Sequence, residues 1–188
     1  MKHFILAIGV AVFVSSSAAA QSPYAGMQTR TIKSLSSEQV ADLRAGRGMG
    51  LALPAELNGY PGPSHLLELS DKLELSPDQK SRIKQLFDLM KAEAVPLGEK
   101  LLAQEAALDQ QFAVRSVTPE SLKEATAQIG VTHAELRNTH LKYHLQTVQI
   151  LSADQMKKYS MLRGYSSDAP THHHHDAIER RCLAMFCY

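Results

Sequence analysis

Leu75-Ser76-Pro77-Asp78-Gln79 and, much later, Leu151-Ser152-Ala153-Asp154-Gln155 are nearly the same phrase, and each reads as the start of a helix. Ser76 and Ser152 take the N-cap, where a hydroxyl oxygen accepts a backbone N–H that the first turn leaves unpaired. Gln79 and Gln155 stand three residues on and reach back, completing a capping box. Asp78 and Asp154 put negative charge at the positive end of the helix dipole. Pro77 occupies the first helical position, where its missing N–H costs nothing. Leu75 and Leu151 precede the caps and can staple onto the first turn. A fainter copy, Leu35-Ser36-Ser37-Glu38-Gln39, lies upstream.

Between the two strong copies the apolar spacing predicts a long antiparallel helical hairpin, about 76–150. The first helix runs over about Pro77–Val114, with Ile83, Phe87, Met90, Ala94, Leu97, Leu101, Leu108 and Phe112 on one face. The three–four alternation is of coiled-coil type, interrupted at Gln104. Pro96 inside it predicts a kink and so a curved face. Thr118-Pro119-Glu120 starts the second helix, whose seam of Leu122, Ala125, Ile129, Thr132, Leu136, His140, Tyr143, Thr147 and Ile150 is more polar. The turn between them is short, so the helices are antiparallel neighbours. A last helix follows over Ala153–Leu162. The fold class is all-α, thin and cradle-like, a shape that buries little alone and suits dimerisation.

The remaining chain divides around this hairpin. Met1–Ala20 reads as a secretory signal peptide: a short basic start, an apolar run over Phe4–Val14 too short to span a bilayer, and an Ala18-Ala19-Ala20 cleavage site. The expectation is an exported, periplasmic protein without membrane insertion. Residues 21–63 read as a flexible N-terminal arm and linker, with a short helix at Ser36–Ala45 and one or two helical turns over Leu51–Leu57. The Gly46-Arg47-Gly48-Met49-Gly50 stretch lacks the spacing of a phosphate loop. Asn58-Gly59-Tyr60-Pro61-Gly62-Pro63 is a strong turn signal, and Ser64 reads as the cap of a short helix over His65–Leu73. The helical domain spans 64–165, and 166–188 is a low-complexity tail with Cys182 and Cys187, which in an oxidising compartment either pair or stay free.

Charge is balanced, with Lys+Arg 20 against Asp+Glu 19, so nothing recruits nucleic acid. Enzyme signatures are absent: no Gly-x-Ser-x-Gly, no His-Glu-x-x-His, no phosphate cradle. The histidines carry more information. His140 and His144 are four apart and project from one helix face, a spacing that suits a shared metal ion. Folding the hairpin about residue 116 sets facing positions to sum to about 233, which places His140 opposite Glu93 and His144 opposite Met90. His65 can fold back to join them. Zinc, nickel, cobalt or copper would suit this set, with no metal required for folding. The plainer reading, buried seam residues bonded to neighbours, stands beside it. His172, His173, His174 and His175 in the tail would bind metal in any flexible chain.

The leader, the hairpin and the repeated phrase of Leu75, Ser76, Gln79 and Leu151, Ser152, Gln155 resemble the Spy/CpxP family of periplasmic stress proteins, with Ser where the family usually has Thr. The resemblance covers about 64–165. It implies a cradle-shaped homodimer that holds unfolded periplasmic proteins without ATP, or binds an envelope sensor protein. The client surface would mix apolar side chains with Lys84, Lys91, Arg137 and Lys142. The alternative is the metal-binding branch, resembling ZraP and CnrX, in which His65, His140 and His144 fall near regions that supply ligands.

Overall fold

The computed structural model describes residues 22–165; the expected leader and the His/Cys tail lie outside the described residues. The described chain forms a 3-10 turn, Met27–Thr29, and six helices: α1 Ser37–Arg44, α2 Leu53–Glu56, α3 Pro63–Glu68, α4 Pro77–Ala113, α5 Pro119–Thr147 and α6 Ala153–Leu162. It contains no strand among those residues. α4 and α5 pack against each other as the antiparallel hairpin, and α4 continues through Pro96 without a break in its helical assignment.

All three Leu-Ser phrases open helices through complete capping boxes, at Ser36/Gln39, Ser76/Gln79 and Ser152/Gln155. The two strong copies also meet. Gln79 Nε2 donates to Gln155 Oε1 at 2.9 Å, and Gln155 Nε2 donates to Gln79 Oε1 at 3.1 Å. Gln79 also reaches the Ile150 carbonyl at 2.9 Å. Each glutamine therefore serves its own cap with Oε1 and joins the other phrase with Nε2, clasping the start of α6 to the start of α4.

Residues 22–63 are the main correction. The segment read as a flexible arm and linker instead packs along the hairpin as a third layer. Lys33 pairs with Asp109 at 2.9 Å, Ser34 donates to Glu105 at 2.8 Å, and Arg44 lies 3.5 Å from Glu99. Ile32 and Leu43 are buried in one core cluster with Ala94, Leu101, Leu102 and Leu136. The sequence hid this because α1 is short and its contact depends on a residue with no side chain. Gly98, in the middle of α4, lets the Leu43 backbone approach so closely that a Cβ would drive into the Leu43 carbonyl oxygen. A second cluster, Leu66, Leu73, Leu75, Ile83, Leu151 and Tyr159, sits near the Gln79–Gln155 clasp.

Two smaller differences follow from local chemistry. α3 begins two residues earlier than expected, with Gly62 as N-cap and Pro63 at the first position, and ends at Glu68. The hairpin register is shifted by about two residues: Glu93 meets Lys142 and Tyr143, and Lys100 meets Glu135. The turn accommodates this with Arg115 in the left-handed region, φ 55°. Toward that turn the seam opens, leaving Phe112 and Leu122 exposed.

Gly98→Ala should gain about 1 kcal/mol in helix propensity yet lose more through the clash with α1. The expected outcome is a net loss of about 1–3 kcal/mol in chemical denaturation. A stabilised Gly98→Ala variant would contradict the packing of α1 on α4.

Candidate functional site

The two core clusters are not continuous. Along α4 the order is Ile83 in one cluster, then Phe87 and Met90, then Ala94 in the other. Along α5 it is Leu136, then His140 and His144, then Leu151 beyond the helix. The interval between clusters is a cavity of about 590 Å³. Its walls include Phe87, Met90, His140 and His144 from the hairpin, Gly48 and Met49 from the glycine-rich segment, and Glu56, Gly62 and His65 from the α2–α3 region. A seam that would otherwise be filled with leucine carries two imidazoles and a thioether.

His144 is 7% exposed, and its Nδ1 lies 2.6 Å from the Tyr60 carbonyl oxygen. A carbonyl only accepts, so Nδ1 carries a proton and Nε2 is the nitrogen left to supply a lone pair to a ligand. Gly62 faces that nitrogen: a Cβ there would stand 2.8 Å from both Nε2 and Cε1. The space at Nε2 exists because residue 62 has no side chain.

His140 is 3% exposed, and its Nε2 is shielded from solvent with no hydrogen-bond partner. Burial, with a smaller contribution from neighbouring His144, lowers its pKa to about 4, so the ring is neutral at pH 7. Gly48 lies against this ring, with a Cβ position 3.3 Å from Nδ1. An unpaired buried nitrogen costs about 1–3 kcal/mol.

Glu56 was not singled out from the sequence, and it organises the site. It is 5% exposed. Oε1 accepts from the Tyr159 hydroxyl and from the Tyr165 hydroxyl at 3.2 Å, with His65 Nδ1 at 3.3 Å and Arg163 Nε at 3.5 Å. Oε2 accepts from Gly62 N at 3.2 Å and lies 3.9 Å from His144 Nδ1. Burial alone would raise its pKa, but the His65 and Tyr159 hydrogen bonds override it and hold the carboxyl at about 2. A single glutamate in a polar-looking turn gives no periodic signal, which is why it was missed.

Of the expected set, His65, Met90, His140 and His144 line the one cavity. Glu93 does not. It is held outside by Lys142 and the Tyr143 hydroxyl, a consequence of the two-residue register shift. Lys142 holds its carboxyl below the usual range. Among the described residues no group of three or more His, Cys, Asp or Glu side chains is placed to hold a metal ion. The imidazole pair and the methionines are therefore the donors on offer. Of the expected client cations, Lys84 pairs with Asp88 and Lys142 with Glu93, while Lys91 lies over the Phe87 ring.

Comparison of the chain with protein-family models, with curated proteins and with solved structures finds no match in any of the three. The fold and site by themselves define a helical-hairpin protein with a histidine-lined cavity between two apolar clusters.

Two outcomes test the site's energetics. His140→Leu should leave stability at pH 7 unchanged or raise it by up to about 2 kcal/mol, because an unpaired nitrogen is replaced by apolar volume; a loss larger than that would make the imidazole a structural element. The unfolded chain protonates His140 near pH 6.5 and the folded chain only near 4, so the unfolded state binds more protons between them. This contribution is complete above about pH 6.5 and declines as pH falls toward 4, by about 3 kcal/mol at most. Denaturation across that range should show the slope in the parent and a smaller one in His140→Leu.

Proposed function

We propose that this chain is an exported metal-binding protein of the bacterial envelope, holding a transition-metal ion between His140 and His144. The observation that carries the reading is the unpartnered, buried Nε2 of His140, a residue that lines the same cavity as His144. Most buried polar side-chain atoms find a hydrogen-bond partner; an imidazole nitrogen kept neutral and unpaired at a cost is in the form a metal requires. The second support is the His144 tautomer. Its Nδ1 is committed to Tyr60, with Glu56 behind it, which is the outer arrangement that orients a ligating imidazole. His140 and His144 would hold the metal, and the rest of the protein would position it rather than react with it. The reading agrees with the metal-binding branch that the repeated phrase resembles.

The tail must be silenced to test this. In the full chain with His172–His175 all changed to alanine, calorimetry with zinc, nickel, cobalt and copper ions should show one site. His140→Ala with His144→Ala should abolish it. Gly62→Ala should weaken it at least about tenfold, because the new methyl crowds Nε2 while both ligands remain. Binding that persists in the double histidine variant would remove the reading.

A second reading, the holdase role, is favoured by a separate observation. Leu89 and Leu145 occupy facing hairpin positions and are 48% and 57% exposed, and Val131 is 56% exposed. These apolar side chains would meet unfolded clients, beside Arg137 and Lys84. Light scattering of a reduced, aggregating client should fall at stoichiometric amounts of the chain, and less so with Leu89→Ser and Leu145→Ser. No suppression by the parent chain would end this second reading.

A further inference from the structure

The charge and softness of the remaining donors restrict which ion the cavity takes. Resting on the metal-binding reading above, we infer that the site is a monovalent copper site, completed by the thioethers of Met49 and Met90 alongside His140 and His144.

Divalent zinc, nickel and cobalt bind well where a carboxylate offsets their charge. Glu93 is outside the cavity, bound to Lys142 and Tyr143. Glu56 lines it, but Tyr159, Tyr165, His65, Arg163 and Gly62 already occupy its oxygens. Glu68 is exposed and accepts from Ser64 at 3.3 Å. Among the described residues, the carboxylates on the cavity wall are therefore the fully engaged Glu56 and the exposed Glu68.

The sulfur donors are placed differently. Met90 is 6% exposed and lines the cavity from α4. Met49 lines it from the glycine-rich segment, one residue after Gly48, whose backbone lies against the His140 ring. Met49 is also in the left-handed region, φ 44°, where a residue with a Cβ is disfavoured by about 1–2 kcal/mol. Glycine on both sides could relieve a turn without strain, yet the strained position holds the thioether.

Two imidazoles and two thioethers, once they ligate, give an uncharged, soft donor set. Monovalent copper prefers such donors. Its charge also suits the surroundings: Born desolvation scales with the square of charge, so a monovalent ion costs roughly a quarter of what a divalent one costs. Arg47, Lys91 and Arg163 line the cavity against Glu56 and Glu68, so the wall carries no negative excess to attract a divalent ion.

The test uses the full chain with His172–His175 changed to alanine and with Cys182→Ser and Cys187→Ser, which removes the tail's imidazoles and thiols. Copper(I) is titrated anaerobically against a chromophoric chelator, and zinc(II), nickel(II) and cobalt(II) by calorimetry. One copper(I) per chain is expected, bound at least about 100-fold tighter than the divalent ions. Met49→Leu with Met90→Leu should lower copper(I) affinity at least about 100-fold and leave any zinc(II) binding unchanged. A non-perturbing readout accompanies the variants: with selenomethionine in place of methionine, X-ray absorption at the copper edge should show a copper–selenium shell. Divalent binding as tight as copper(I), or a copper shell without selenium, overturns the inference and leaves the metal-binding reading standing. Binding of no metal at all overturns both.

Discussion

A buried carboxylate holds the site together. Glu56 accepts from groups on α3, α6 and the residues after α6, and from the backbone of the turn between α2 and α3. The donors come from several separate pieces of chain. With the carboxylate ionised to about pH 2, the turn at Tyr60–Gly62 is drawn over α5, and Tyr60 and Pro61 present their carbonyls to His144 and Thr147. Removing one partner from a buried charge network costs about 3–5 kcal/mol in general, so the anchor is strong for its size.

The cavity follows from that anchor and from two glycines. The hairpin supplies two imidazoles at seam positions, where leucines would have joined the clusters around Leu136 and Leu151 into one core. The covering segment then crosses them with Gly48 and Gly62, the residues that let backbone lie near the rings. Stability is surrendered in three places: an unpaired His140 nitrogen, a strained Met49, and an interrupted core. All three lie at or beside the 590 Å³ cavity, and the binding proposal rests on that concentration.

Much of the fold was legible because it is written in period and punctuation. The capping phrases placed the starts of α1, α4 and α6, and Thr118-Pro119 placed α5. The histidine pair was legible because spacing along a helix survives any error in tertiary placement. What was not legible depends on contacts between distant segments. The clasp of Gln79 on Gln155 explains why the phrase is repeated, but each copy alone is a complete cap. Residues 22–63 looked like an arm because α1 is short and α2 shorter, and because their partner is the bare backbone at Gly98. Glu93 was misplaced by a two-residue register error that the turn at Arg115 absorbs. Glu56 carries no pattern at all; only the fold brings its donors together.

In the proposed site His140 and His144 line one cavity and would hold a metal ion between them. Long-range 1H–15N correlation of the imidazole rings reads this directly, in a chain whose four tail histidines are changed to alanine. At pH 7 the account predicts a neutral His140 and a His144 protonated on Nδ1. On adding one equivalent of metal, the Nε2 resonances of both rings should shift together while the His144 Nδ1–H signal persists. A His144 protonated on Nε2, or a pair of rings that metal leaves unmoved, would contradict it.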